Sequence, residues 1–328
     1  MRLIKPSFEI VEQEPGIEGI FKQIECAGRT CYHSQDKITP DSAREFVARM
    51  IKSGHGAMLE HGTVYLKDSY DVSAIGSWGR SIGRRYKENK YSVVNTDGGM
   101  DFCGIYVTTN LRVLVENNWS DDLNYIVEPT EFHKKRYTVR FICDRGVSHE
   151  FVRHRVMSFA QESTRYCNYS KDKFGNEITC IIPPWMDLES GTYDCYTFGP
   201  SIYDFEAHVL DKTSEIGCKK SYFGYENPLK CCFIRGLNDA EQCYFKLLDI
   251  WNDKIPDKRF KTGFRGNPWT PQQARAVLPN ALKTELVVTG FKHDWEHFFE
   301  LRCAENAHPQ ARELAIPLRD EFKKRGYI

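Results

Sequence analysis

Residues 137–166 read YTVRFICDRGVSHEFVRHRVMSFAQESTRY, and the order of signals in this stretch decides the fold class. Tyr137–Cys143 alternates along its length and is rich in β-branched and aromatic residues, the pattern of a strand with one buried face. Asp144-Arg145-Gly146 predicts a turn. Ser148 can cap a helix that carries Glu150, Arg153, His154 and Arg155. Elsewhere strand and helix signals alternate irregularly, so the chain is expected to be α+β rather than a doubly wound sheet.

Upstream, Thr39 as N-cap and Pro40 at the first helical position predict a helix over about 40–53. Ala43, Phe46, Val47, Met50 and Ile51 fall on its inner face, and Gly54 stops it. TVYLK (63–67) alternates like a strand. The stretch from about 69 to 124 is polar and rich in Gly, Asn and Asp, and reads as an insertion with little core of its own. The organisation expected is therefore a single domain over 1–328 with an insertion at about 69–130. Downstream, Ala240, Cys243, Tyr244, Leu247, Leu248 and Trp251 mark an amphipathic helix. Thr270-Pro271-Gln272-Gln273 is a capping-box start that launches a short helix holding Arg275. KTELVVTG (283–290) is a strand, and Asp294 to Cys303 is again helical.

Composition narrows the function classes. The chain has 328 residues, 41% hydrophobic and 27% charged, as an ordinary globular protein has. Lys plus Arg and Asp plus Glu are 45 each, so formal net charge is zero. That disfavours coating nucleic acid by bulk charge, and any anion site must be local. No apolar run approaches the ~20 residues a membrane helix needs. The start, MRLIKPSFEIVEQEP, lacks an apolar core followed by a small-residue cleavage site, so no signal peptide is read there. The 12 cysteines include no C-x-x-C; they are taken as reduced thiols of a cytoplasmic protein, mostly small buried residues. No G-x-G-x-x-G and no P-loop occurs.

The densest chemical feature is Arg153 to Tyr166, with three arginines, a histidine, two serines and a tyrosine. Guanidinium forks bind phosphate bidentately, with hydroxyls and backbone N–H groups completing the shell. The alternative is a solvated basic face. Against it, Met157 and Phe159 interleave with the polar residues, so part of the segment is expected to be buried, and buried arginines need anionic partners. His55, Glu60 and His61 could ligate a metal, cap a strand or face a ligand. His293-Asp294-Trp295-Glu296-His297 matches H-x-x-E-H, whose two histidines share a helix face and could hold zinc with a third ligand from elsewhere. Arg302 follows Trp295, Phe298, Phe299 and Leu301 and emerges from an apolar face, ahead of a Pro309 helix start at Ala307–Glu313.

Together these segments resemble the flavin-dependent thymidylate synthases. Arg153-His154-Arg155, then seven residues and Ser163, resembles that family's signature, and Arg165-Tyr166 extends the match. His55 with Leu59-Glu60-His61 resembles its upstream flavin-site motif. Ala274-Arg275-Ala276-Val277-Leu278-Pro279 resembles a later substrate-site motif. Val288-Thr289-Gly290, His297, Arg302 and Ala307 to Arg312 resemble its C-terminal part. The four segments occur in the family's order. Departures are Ala160-Gln161 where some members carry Asn-Glu, Glu150 before the signature, Gln310 in place of a common glutamate, His293 in place of a frequent arginine, and the long link between His61 and Arg153.

The resemblance implies a homotetramer of α+β subunits, each with mixed or antiparallel sheet and packed helices, and active sites where subunits meet. It implies FAD reduced by NADPH, a one-carbon unit from methylenetetrahydrofolate, and conversion of dUMP to dTMP in de novo dTMP biosynthesis. FAD contacts are implied for His55, Glu60, His61, Arg153, His154, Arg155 and His297, and dUMP contacts for Gln161, Ser163, Arg165, Arg275 and Arg302. Arg302 would polarise the uracil carbonyl as charge develops in the ring. Cys167 lies outside the motif and is expected to be a buried packing residue, not a nucleophile. No metal, nucleic acid or membrane partner is expected. The competing readings are a zinc hydrolase on His293 and His297, and a non-catalytic nucleotide-binding protein using Arg153 to Arg165.

Overall fold

A computed structural model describes residues 1–328 except 75–77, 79–80, 172–173, 202, 211–217 and 250–268, together with the side chain of 249. The chain forms two compact units, each assembled from separate stretches. The first comprises Met1–Ser7, Ile142–Glu150 and Ser163–Thr284; the second comprises Phe8–Phe141, Phe151–Glu162 and Glu285–Ile328.

In the first unit a five-stranded mixed sheet has the order Cys218–Phe223, Phe205–Leu210, Gly191–Thr197, Arg2–Ile4, Thr179–Ile181. Arg2–Ile4 pairs parallel with Thr179–Ile181, and the other registered pairs are antiparallel. Phe205, Ala207 and Val209 point to one face at the strand period of two and are buried. The helix Pro228–Asp249 meets the same core with Cys231, Ile234, Leu237 and Tyr244. This helix starts well before the Ala240 signal that marked it. Trp251, expected on it, lies outside the described residues.

The second unit has two sheets. One is four-stranded, in the order Ser7–Val11, Arg136–Asp144, Lys283–Phe291, Ser158–Gln161. The other is a three-stranded antiparallel sheet of Thr63–Asp71, Phe102–Asn110 and Val93–Thr96, in which Leu66 faces Val107. The helices Gly16–Tyr32 and Ser42–Lys52 pack together beside them. Their core includes Ile20, Ile24, Phe46, Val47 and Met50. A separate aromatic cluster joins Phe141, Phe151, Trp295, Phe298 and Phe322, with ring centroids 4.9–6.4 Å apart. No described helix is long and apolar enough to cross a membrane.

Mixed and antiparallel sheets with packed helices are the α+β architecture expected, and the strands at 63, 137 and 283 lie where the sequence predicts them. Several local expectations change. The helix expected from Pro40 begins at Ser42, because Thr39 N and Thr39 O both bond Ser42 Oγ, at 2.9 and 3.0 Å, and spend the preceding residues on a turn. Ile51, assigned to its inner face, is exposed. The helix expected to carry Arg153, His154 and Arg155 runs only from Arg145 to Phe151. Asp144, not Ser148, caps it, its Oδ1 accepting from Val147 N at 2.7 Å. The stretch from 69 to 124 does supply core: Tyr86, Ile105, Val107 and Leu114 are fully buried. Gly, Asn and Asp dilute the apolar signal, and part of the buried surface is itself polar, as at Thr108, Thr109 and Asn110. Leu114→Ala is therefore expected to lower stability by about 3 kcal/mol, read from urea unfolding. A change near zero would show that this stretch carries no core.

Candidate functional site

The Arg-His-Arg segment owes its shape to what precedes it. Phe151 is wedged between Phe141 at 5.1 Å and Phe298 at 4.9 Å. The chain then turns, with His154 N donating to Phe151 O at 3.2 Å and Met157 N to His154 O at 3.1 Å. This turn buries His154 against the Phe298 ring, 5.1 Å away, and leaves Arg153 and Arg155 exposed on either side. His154 Nε2 accepts from Arg302 Nε at 3.1 Å. Burial, and then the charges of Arg302 and His297, lower the His154 pKa to about 4. The imidazole is thus neutral at pH 7, with its proton on Nδ1 and its lone pair on Arg302.

The apolar residues interleaved in this segment predict buried arginines within 153–165. Met157, Ser158 and Ala160 are indeed buried, but Arg153, Arg155 and Arg165 are exposed. The buried residues of the strand Ser158–Gln161 are Ser158 and Ala160, and all three arginines lie in the turns before and after it.

In the second unit a cavity of about 580 Å³ is lined by Glu60 and Arg155 from the recognised motifs, and by Met157, Ser158, Phe291 and His293. Arg136, from the strand start, and Lys90, Tyr91 and Arg112, from the 69–130 stretch, complete much of the wall. The Glu60 carboxylate is held by Arg112, which also donates to Glu116 at 2.7 Å. The sequence reading missed Arg136, Lys90 and Arg112. Only Arg136 carried a signal, as a cation opening an apolar strand.

The other histidines lie elsewhere. His55 is exposed, with Nδ1 3.1 Å from Tyr32 Oη. His297 is exposed, with Nδ1 3.4 Å from Glu300. His61 is wholly buried, its Nδ1 2.8 Å from Thr289 Oγ1, which in turn lies 2.8 Å from Thr138 Oγ1. None of the three lines the cavity. His293 lies 3.3 Å from Asp294, and no described trio of close ligating groups includes His293 or His297. The one trio found among the described residues is His33, Glu162 and Glu285, with ligand atoms within 4.8 Å.

In the first unit the structure brings Arg275 to the 163–166 turn. The capping box at Thr270 and Gln273 starts a single helical turn, and Arg275 Nη1 at its end donates to Thr164 Oγ1 at 3.3 Å. Tyr166 N and Cys167 N both donate to Ser163 O at 3.1 Å. Arg165 and Arg275 are exposed and can both address an anion there. Cys167 is only 1% exposed and belongs to the apolar core, as expected of a packing residue. Gln161 lies on its strand opposite Leu286.

Burial fixes a pH dependence. It pulls the His61 pKa from 6.5 to about 3, with the Arg136 charge adding to the effect. The unfolded chain takes a proton near its ordinary pKa and the folded chain does not. Stability is therefore full above about 6.5 and is lost progressively as pH falls toward 3. Replacing His61 by Gln should flatten the fall in urea midpoint between pH 7 and 4.5. Parallel declines in variant and wild type would contradict this placement.

The family model described as thymidylate synthase complementing protein matches residues 125–325. A flavin-dependent thymidylate synthase of Corynebacterium glutamicum is 23% identical over 310 residues, covering 93% of this chain and 76% of the relative. The protein of the same name from Mycobacterium avium is 27% identical over 295 residues, covering 89% and 71%. Among solved structures, the UMP/dUMP methylase PolB from Streptomyces cacaoi bound with 5-Br dUMP aligns over 99% of this chain and 93% of its own, at 15% identity and a TM-score of 0.39. With the model match spanning more than half of its length, the chain belongs to the thymidylate synthase complementing protein family.

Proposed function

We propose that this protein is a flavin-dependent thymidylate synthase, a methyltransferase that converts dUMP to dTMP with methylenetetrahydrofolate as one-carbon donor and NADPH-reduced FAD. The observation that carries the reading is the cavity in which Glu60 and Arg155, far apart in sequence and both from the family's motifs, line one space of about 580 Å³. That size suits a cofactor site. Relatives bearing the synthase name along most of this chain support it. We further infer a cytoplasmic homotetramer; the resemblance supports the assembly, and the 12 free cysteines suit a reducing compartment.

The cavity's groups fit a flavin nucleotide in kind. Phe291 and Met157 offer apolar surface for a ring system, and the exposed Arg155 guanidinium offers charge for a phosphate. Bound there, reduced flavin would supply the hydride that completes the methyl group. The remaining steps belong to the chain. Arg165 and Arg275 would grip the nucleotide phosphate, with Thr164 Oγ1 holding the Arg275 fork in place. Arg302 would donate to a uracil carbonyl as negative charge develops in the ring. Neutral His154 accepts from Arg302 Nε and so aims the guanidinium without competing for its charge. Gln161 and Ser163 are assigned to the same substrate, and Arg153 to the flavin.

Purified protein should carry or take up a flavin with absorbance near 450 nm, and should oxidise NADPH only when dUMP is present. A colourless protein that takes up no flavin would end this reading. Arg165→Ala should weaken dUMP about tenfold, the loss for one charged hydrogen bond at an exposed site, with flavin affinity unchanged. Isothermal titration with each ligand checks it, and unchanged dUMP affinity would place the phosphate elsewhere.

A further inference from the structure

The strand Arg136–Asp144 opens with a guanidinium whose hydrogen bonds, among the described residues, all go to neutral groups. Arg136 Nη1 donates to Glu60 O at 2.9 Å and Thr63 Oγ1 at 3.3 Å, and Nη2 donates to Ser158 Oγ at 3.3 Å. The Phe291 ring lies 5.5 Å from its Cζ. Every one of these neighbours is neutral. The nearby carboxylates are committed to other groups. Glu60 and Glu116 are bonded by Arg112, and Asp294 accepts from Phe291 N at 2.8 Å and lies 3.3 Å from His293. Among the described residues no carboxylate pairs with Arg136 within 4.0 Å. Burial lowers its pKa to about 10, so it stays charged at neutral pH. The charges of Glu60 and Asp294 act on it only at a distance and only partly oppose the effect of burial; a half-buried cation whose hydrogen bonds all go to neutral acceptors is undercompensated, and an arriving anion offsets that cost.

Two further cations share the wall. Arg155 is exposed and has no ion pair among the described residues, and Lys90 sits 4.8 Å over the Tyr91 ring. Three such charges suit a phosphate better than a single carboxylate, and the five-donor fork of Arg136 keeps N–H groups for a ligand.

We propose that Arg136, half-buried in the cavity wall, is the counter-charge for a phosphate group of the ligand that fills this cavity, and that Lys90 and Tyr91, from the 69–130 stretch, form the outer wall against the same ligand. The stretch then takes part in binding and is not an appendage. The proposal rests on the synthase reading; of its phosphorylated ligands FAD, dUMP and NADPH, the two to which that reading assigns residues of this chain are FAD and dUMP.

The test titrates full-length wild type, Arg136→Met, Arg136→Lys and Lys90→Ala with FAD, riboflavin, dUMP and deoxyuridine. Arg136→Met should weaken one phosphorylated ligand at least about thirtyfold and leave its phosphate-free counterpart unchanged. Arg136→Lys should recover part of the loss, and Lys90→Ala should lose a few-fold for the same ligand. A loss confined to FAD assigns the cofactor's phosphates; a loss confined to dUMP assigns the substrate's. Arg136→Met with a wild-type circular dichroism spectrum and both affinities within twofold overturns the proposal. Should Arg136→Met not fold, wild-type affinities in both Arg136→Lys and Lys90→Ala overturn it. Wild type that binds neither FAD nor dUMP overturns the synthase reading along with it, whereas normal binding untouched by the variants overturns this proposal alone.

Discussion

The seating of Phe151 between Phe141 and Phe298 controls the chemistry around it. A helix that ran on through Arg155 would have spread Arg153, His154 and Arg155 around its circumference at about 100° per residue. Stopping at Phe151 converts the same three residues into a turn, with one ring tucked inward and two guanidinium groups outward. The aromatic cluster gives that turn a rigid base, since close-packed rings resist displacement. Trp295 joins the cluster and bonds Tyr137 O at 3.1 Å, so the helix that carries Arg302 is fixed against the same rings. The His154–Arg302 hydrogen bond follows from that arrangement, and so does the neutrality of the histidine.

Charge in the second unit is arranged around the same principle of partial compensation. Arg112 binds two carboxylates and removes them from competition. Asp294 is turned into its own helix start, where it accepts from Phe291 N. What remains facing the cavity is an excess of cation, concentrated at Arg136 and Arg155. A chain of zero net charge thereby presents a locally positive site. Bulk charge alone would have hidden this, because anion binding depends on which charges are left over after internal pairing.

The strands at 63 and 137 were legible from alternation along the chain and that at 283 from its β-branched and apolar run, signals that survive without knowledge of partners. The capping box at Thr270 was legible because its two bonds are local, and it correctly delivered Arg275 at the end of a short helix. The end of the helix at Phe151 was not legible, since it depends on rings 147 residues downstream or on another strand. The core in 69–124 was hidden for a related reason: Tyr86 and Leu114 are buried by partners in other elements, while Gly, Asn and Asp dominate the local count. Motif spacing picked out Glu60 and Arg155, which meet at the cavity, but gave no sign that His61 would be buried beside Thr289. Arg136 shows the same limit. Its importance comes from the acceptors around it, and no pattern in its own neighbourhood states what those will be.

The central claim is that this chain adds a methyl group to the uracil ring of dUMP using a bound flavin. The most direct measurement is the mass of the nucleotide recovered after incubation with dUMP, methylenetetrahydrofolate, FAD and NADPH. The account predicts a product heavier than dUMP by one methylene unit that co-elutes with dTMP, formed only when all four components are present. Nucleotide recovered unchanged from folded, flavin-loaded protein, whether or not NADPH is consumed, would contradict it.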